Sequence, residues 1–170
     1  TSTDVDGGAP TYSISGGVDA ALFNIDSTTG VVTFKTAPNF EAPSDSGADN
    51  VYNITVQADD GLGGITTQNV AITVTNVNEA PTITSPSTVS VAENQTAALT
   101  VTSTDVDGGA PTYSISGGAD AALFNIDSTT GVVTFKTAPN FEAPSDSGAD
   151  NVYNITVQAD DGLGGITTQN

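Results

Sequence analysis

The sequence predicts an all-β fold, a tandem of antiparallel sandwiches, and three observations carry that expectation. Residues 1–69 recur as residues 102–170, an offset of 101, with Val18 against Ala119 as the one difference. Apolar and polar residues alternate in short β-branched runs, the period of a half-buried strand. Turn-forming Gly, Asn, Asp and Ser separate those runs, and no stretch keeps a helical period. A fixed period of this length suits a whole domain of about 100 residues rather than a small solenoid unit. Near-identical neighbours also point to reach or multivalency as the product, because a binding or catalytic surface needs only one copy.

Each strand is legible in turn. Residues 51–58 put Tyr52, Ile54, Val56 and Ala58 on one face and Asn53, Thr55 and Gln57 on the other. Val70, Ile72 and Val74 alternate with Thr73 and Thr75 in the same way. Val89 with Val91 predicts a short strand, and Ala97, Leu99 and Val101 the next. Tyr113 with Ile115, Phe124 with Ile126, and Val133 with Phe135 supply three more, and residues 152–159 repeat the run 51–58. Seven strands per repeat is the pattern of an immunoglobulin-like Greek-key β-sandwich. Gly16-Gly17, Ser27-Thr28-Thr29-Gly30 and the stretches 43–47 and 61–64 are the punctuation. Pro81 ends the last strand of the first repeat without starting a helix. The expected division is a first repeat over 1–78, a linker over 79–82 and a second repeat over 83–170. The stretch begins and stops inside a repeat, so it reads as a slice of a longer array. On that reading the first repeat lacks its N-terminal strands and the second most of its last.

Composition narrows the function. Two basic residues stand against 20 acidic ones, a formal charge of −18. Almost nothing is present to neutralise phosphates, which argues against nucleic acid and against anionic membrane surfaces. With 36% hydrophobic residues in regular runs the chain is expected to fold despite its charge. There is no Cys and no His, which excludes disulfides, zinc sites and thiol or Ser–His–Asp catalysis. Nothing selects a carboxylate pair or a cleft for glycoside cleavage, so no enzyme is expected. No apolar stretch reaches membrane-spanning length, so no transmembrane segment is expected. Metal cations are the natural offset for the charge.

The carboxylates are placed with a pattern. Asp105 continues the inward parity of Ala97, Leu99 and Val101; Asp60 continues that of Ile54, Val56 and Ala58; Glu93 that of Val89 and Val91. Such positions bring carboxylates to the two poles of a sandwich. Two carboxylates at 5 Å repel by roughly 3 kcal/mol at an effective dielectric near 20, so a cluster would splay without cations. Clustered carboxylate and amide oxygens suit Ca²⁺. The plainer alternative for these residues is a solvated acidic rim. The loop Asp45-Ser46-Gly47-Ala48-Asp49-Asn50 reads as a Gly-rich turn or as a Ca²⁺ loop of its own. Asp26 reads as a turn former, and Tyr12 and Tyr113 as core residues rather than carbohydrate-stacking platforms. The glycosylation patterns at Asn53 and Asn94 carry little weight in so Thr/Asn-rich a chain.

At these motifs the chain resembles the cadherin-like repeats of large bacterial extracellular adhesins. Thr104-Asp105-Val106-Asp107-Gly108 resembles the Asp-x-Asp motif of that family, and Ala159-Asp160-Asp161-Gly162 its Ala-x-Asp-Gly. Val91-Ala92-Glu93 is similar to the first-strand glutamate motif, and Asn39-Phe40-Glu41 to the Asp-x-Glu motif. Asn76-Val77-Asn78-Glu79-Ala80-Pro81 resembles the interdomain linker, and residues 23–30 the family's structural turn. The match covers essentially the whole chain.

The resemblance implies a Ca²⁺ site at the junction, shared by Glu41, Asn76, Asn78, Glu79, Asp105, Asp107 and Asp161. It assigns Asp4, Asp6 and Asp60 to a site with the preceding domain, and Glu93 and Glu142 to one with the following domain, both incomplete here. The shared site lacks the glutamate equivalent to Glu93, which would precede Thr1. Departures from the pattern imply fewer ions or weaker binding: Asn76 and Glu79 replace linker aspartates, one linker residue is missing, and Asn39 replaces an Asp. Extracellular modules of this kind bind in the ~10⁻⁴–10⁻³ M range. The function implied is a calcium-rigidified spacer of a cell-surface adhesin, outside the cell, with neighbouring repeats as its partners. Two alternatives are a repeat that assembles with identical chains into a filament or matrix through strand addition, and a polysaccharide-binding module.

Overall fold

The structure, a computed structural model, describes residues 9–170. The chain divides into two compact units, Thr1–Val77 and Asn78–Asn170.

In the first unit β1 (Thr11–Gly16), β4 (Val51–Asp59) and β5 (Ile65–Thr73) form an antiparallel sheet in the order β1-β4-β5. β2 (Phe23–Ile25) and β3 (Val32–Phe34) form a second, two-stranded sheet, entered through a short 3₁₀ turn at Ala20–Leu22. Phe23, Tyr52 and Ile54 are its buried core, with Val70, Ile72 and Val74 packed against them.

The second unit contains β6 (Thr82–Ile83), β7 (Ala97–Thr100), β8 (Ser103–Thr104), β9 (Thr112–Gly117), β10 (Phe124–Ile126), β11 (Val132–Phe135), β12 (Thr156–Asp160) and β13 (Ile166–Gln169). Two three-stranded sheets, β10-β11-β7 and β13-β12-β9, face each other, and β6 pairs with β8. Pairing of β7 with β11 and of β9 with β12 skips intervening strands, as Greek-key connections do. Phe124, Val133 and Phe135 from one sheet meet Tyr113, Val157 and Ala159 from the other in one core. Tyr113 is therefore a core residue, its hydroxyl within 3.1 Å of the Ser103 hydroxyl. Phe124 and Phe135 lie 4.4 Å apart, and Tyr153 meets both edge-on.

Four local features differ from the expectation. Val89 and Val91 carry no ladder, because alternation makes a strand only where a partner backbone stands beside it. The run 152–155 is likewise outside β12, whereas its twin 51–54 opens β4. β6 and β8 pair Thr82 with Thr104 and Ile83 with Ser103, two-residue strands too short for alternation to reveal. Ala97 is exposed, since a register shift between Val133 and Thr134 breaks the parity at the start of β7.

Candidate functional site

Five of the candidate ligands gather at one end of the second unit. Asp105 and Asp107 follow β8, Asp161 follows β12, and Asn78 and Glu79 open the unit. The Glu79 N–H donates to Asp107 Oδ2 at 2.8 Å, and the Asp107 N–H donates to Asp105 Oδ1 at 2.9 Å. The Asn78 side-chain amide donates to Asp161 Oδ2 at 2.7 Å. Carboxylate oxygens of Glu79 and Asp107 lie within 4.8 Å of each other. Asp161 Oδ1 accepts the Leu163 and Gly165 N–H groups at 2.7 and 2.9 Å, which closes the turn after β12. Asp105 Oδ2 is buried and has no hydrogen-bond partner.

Electrostatics favour the ionised form of Asp161. The Asn78 amide, followed by the Leu163 N–H, holds the Asp161 carboxyl below the usual range, against the opposing effect of burial. Asp60, its twin in the first unit, is held low by the Leu62 and Gly64 N–H groups. The two lysines do not offset this charge locally: Lys35 Nζ donates to the Ala21 carbonyl at 2.7 Å and Lys136 Nζ to the Ala122 carbonyl at 2.6 Å. The donor set is all oxygen, with one buried oxygen lacking a partner. Its chemistry matches a hard cation such as Ca²⁺.

The other candidates are placed as follows. Glu41 and Asn76 belong to the first unit and are exposed; Asn39 Oδ1 accepts the Glu41 N–H at 2.9 Å. Asp60 is half-buried at the end of β4. Glu93 and Glu142 are both exposed. Glu93 Oε2 accepts the Phe141 N–H at 3.1 Å, beside Glu142, so those two glutamates share one region. Asp4 and Asp6 lie outside the described residues.

The Asp45 loop is closed by backbone N–H groups on its own carboxylate. Burial pushes the Asp45 carboxyl up, but N–H groups of Asp49, Asn50 and Gly47 outweigh it and hold the group low. Asp26 is the turn former expected, accepting the Thr28 and Thr29 N–H groups at 2.9 and 2.7 Å. Sequence reasoning missed Asp19 and Asp120, which are 3% and 2% exposed. The Asp120 carboxylate takes the Ser147 and Asn154 N–H groups, each at 2.7 Å, and Asp19 does the same with Ser46 and Asn53. An Asp amid the apolar run Ala121-Ala122-Leu123-Phe124 was the available signal, since a buried charge needs donors.

The fold places the chain in the immunoglobulin-type β-sandwich class, in its cadherin-like form. The chain belongs to the family described as bacterial Ig domain, whose profile matches residues 78–170. It is 32% identical to human Protocadherin Fat 1 over 94% of this chain and 4% of that protein. It is 38% identical to Halomucin of Haloquadratum walsbyi over 52% of this chain and 1% of that one. The chain thus spans a small fraction of these relatives. Among solved structures, human Protocadherin-24 EC1-2 aligns with TM-score 0.60 at 21% identity, covering 98% of this chain and 78% of that one. Mouse Cadherin-23 EC22-24 aligns with TM-score 0.52 at 27% identity, covering 94% and 51%. Among the described residues no helix is long and apolar enough to cross a membrane.

Proposed function

We propose that this chain is a calcium-stiffened spacer of an extracellular surface protein, built from repeats over 1–78 and 83–170 with a linker over 79–82. Asn78, Glu79, Asp105, Asp107 and Asp161 bind the ion from the second repeat, and Glu41 and Asn76 complete the set from the first. Asp60 with Asp4 and Asp6, and Glu93 with Glu142, are half-sets for further neighbours. The observation that supports this most directly is the orphaned, buried Asp105 Oδ2 beside the Asp107–Glu79 and Asp161–Asn78 hydrogen bonds. Membership in a bacterial Ig family and likeness to cadherins support a place outside the cell and a structural rather than enzymatic role.

The mechanism is linkage. Ions that bind the aligned, folded junction and not the unfolded chain add about 2.7 kcal/mol per site at a hundredfold excess over Kd. They also screen carboxylates that would otherwise repel. Small-angle scattering of the chain in millimolar CaCl₂ and in chelator tests the reading. A longer, stiffer particle with calcium is expected; identical profiles in the two buffers sink it.

A further inference from the structure

The two units are built from interchangeable parts. Residues 51–69 and 152–170 have the same sequence, and so do the segments that receive them, β1 with β9 and residues 20–34 with 121–135. Each unit pairs these parts in one register. Tyr12 stands opposite Ala58 and Ile14 opposite Val56 in the first; Tyr113 stands opposite Ala159 and Ile115 opposite Val157 in the second. Phe23 and Phe34 meet the Tyr52 ring edge-on at 6.0 and 5.1 Å, and Phe124 and Phe135 meet Tyr153 at 6.0 and 5.0 Å. Asp19 accepts the Asn53 N–H at 2.7 Å, and Asp120 accepts the Asn154 N–H at 2.7 Å. Nothing in these contacts distinguishes a unit's own strand from its twin. The loop that leads into the strand is also strained. Ala48 and Asn50 have φ of +51° and +62°, and Ala149 and Asn151 of +53° and +65°, a region that residues with a Cβ rarely adopt.

We propose that these strands exchange between two copies of the chain that fold together. Residues 51–69 of one copy dock on β9 of the second, and residues 152–170 of the second dock on β1 of the first. Identical residues replace identical residues, so the paired strands, the aromatic contacts and the Asp–Asn bonds are all kept. The cost is the entropy of joining two chains, and strain released in the hinge offsets part of it. Residues 35–50 serve as that hinge, since no strand lies between β3 and β4. Exchange of an identical element is a low-cost route to a dimer, and here the repeat supplies the identity. The product is two arrays joined through their cores. This exchange goes beyond the spacer reading and needs no calcium.

The test uses the full chain, which has no cysteine of its own, in two variants. One carries Gln57→Cys and the other Ser114→Cys. Those positions face each other only in the exchanged form, as Ser13 faces Gln57 and Ser114 faces Gln158 within a unit. The variants are unfolded, mixed, refolded in chelator and oxidised, and mass spectrometry reads the 57–114 disulfide between copies. A chain carrying both Ser114→Cys and Gln158→Cys sets the full yield. A strand in its own chain competes as if present at a mM concentration, so the exchanged share should rise about tenfold between about 10 and 100 µM. The pair Gln57→Cys with Thr129→Cys, an exposed turn position, should give only background. Chains mixed without unfolding should give background too. Absence of the 57–114 disulfide after refolding together overturns the proposal. So does an equal yield from the Thr129→Cys pair, from chains never unfolded, or at both concentrations.

Discussion

Asn78 donates its side-chain amide to Asp161 Oδ2 across 2.7 Å, joining residues 83 positions apart. The contact holds the Asn78 amide against a carboxylate of the turn after β12 and favours the ionised form of that carboxylate. Asp161→Ala should therefore weaken calcium binding by about tenfold or more, as loss of a charged oxygen ligand does. Asn78→Ala should weaken it less. Isothermal titration reads both, and an unchanged affinity in Asp161→Ala removes Asp161 from the site.

Acid should loosen both units together. Asp26, Asp45 and Asp60, and their twins Asp127, Asp146 and Asp161, all have folded pKa values below the ordinary carboxylate range. A depressed folded pKa means the unfolded chain binds protons first as pH falls. The stabilisation is complete above the ordinary carboxylate pKa of about 4 and is lost as pH drops through the lower folded values. Thermal melts in chelator should show a plateau from neutral pH down to about 5 and a steep fall below about 4. A melting temperature that rises on acidification would contradict these hydrogen bonds.

Asp120 braces the second sandwich from inside. Asp120→Ala strips the acceptors from the Ser147 and Asn154 N–H groups. Bonds to a charged group and the exposure of unsatisfied donors together predict a loss of about 2–4 kcal/mol in chemical denaturation. A loss below about 0.5 kcal/mol would mean water replaces the carboxylate without cost.

Gly118 has φ +103°, and a Cβ there would collide with the Asn154 carbonyl and the Ile155 Cα. Both neighbours are backbone, so the clash cannot be relieved by a rotamer change. Gly118→Ala should cost more than about 2 kcal/mol in the same denaturation assay. Gly162→Ala serves as the control: its φ is +77°, but nothing lies within 4 Å of the added Cβ, so it should cost less.

Core truncation should separate the units. Phe124 sits in a core of seven buried residues, Phe23 in a core of three among the described residues. Phe124→Ala should cost about 3–5 kcal/mol, and Phe23→Ala less because its smaller core relaxes more readily. Calorimetry should resolve a transition that moves with each substitution while the other stays.

Alternation, repeat period and turn chemistry were sufficient to read β1, β4, β9, β10 and β11, because each carries its burial pattern in residue type. Motif order brought Asp105, Asp107 and Asp161 forward as ligand candidates, with Asn78 and Glu79 beside them. Ladder partners are not written locally: Val89–Val91 has strand sequence but no ladder, and β6 with β8 pair over only two residues each. The same limit hid Asp19 and Asp120, whose donors Ser46 and Ser147 lie 27 residues away and act through backbone N–H groups that every residue possesses.

What the sequence by itself determined is the inward and outward face of each strand and the chemical type of its end residues, because side-chain hydrophobicity and charge are properties of single positions. Which carboxylate meets the Asn78 amide and which oxygen is left without a donor were decided only by the tertiary structure. Hydrogen bonds are made between segments far apart in the chain, as between Asn78 and Asp161 or Ser147 and Asp120.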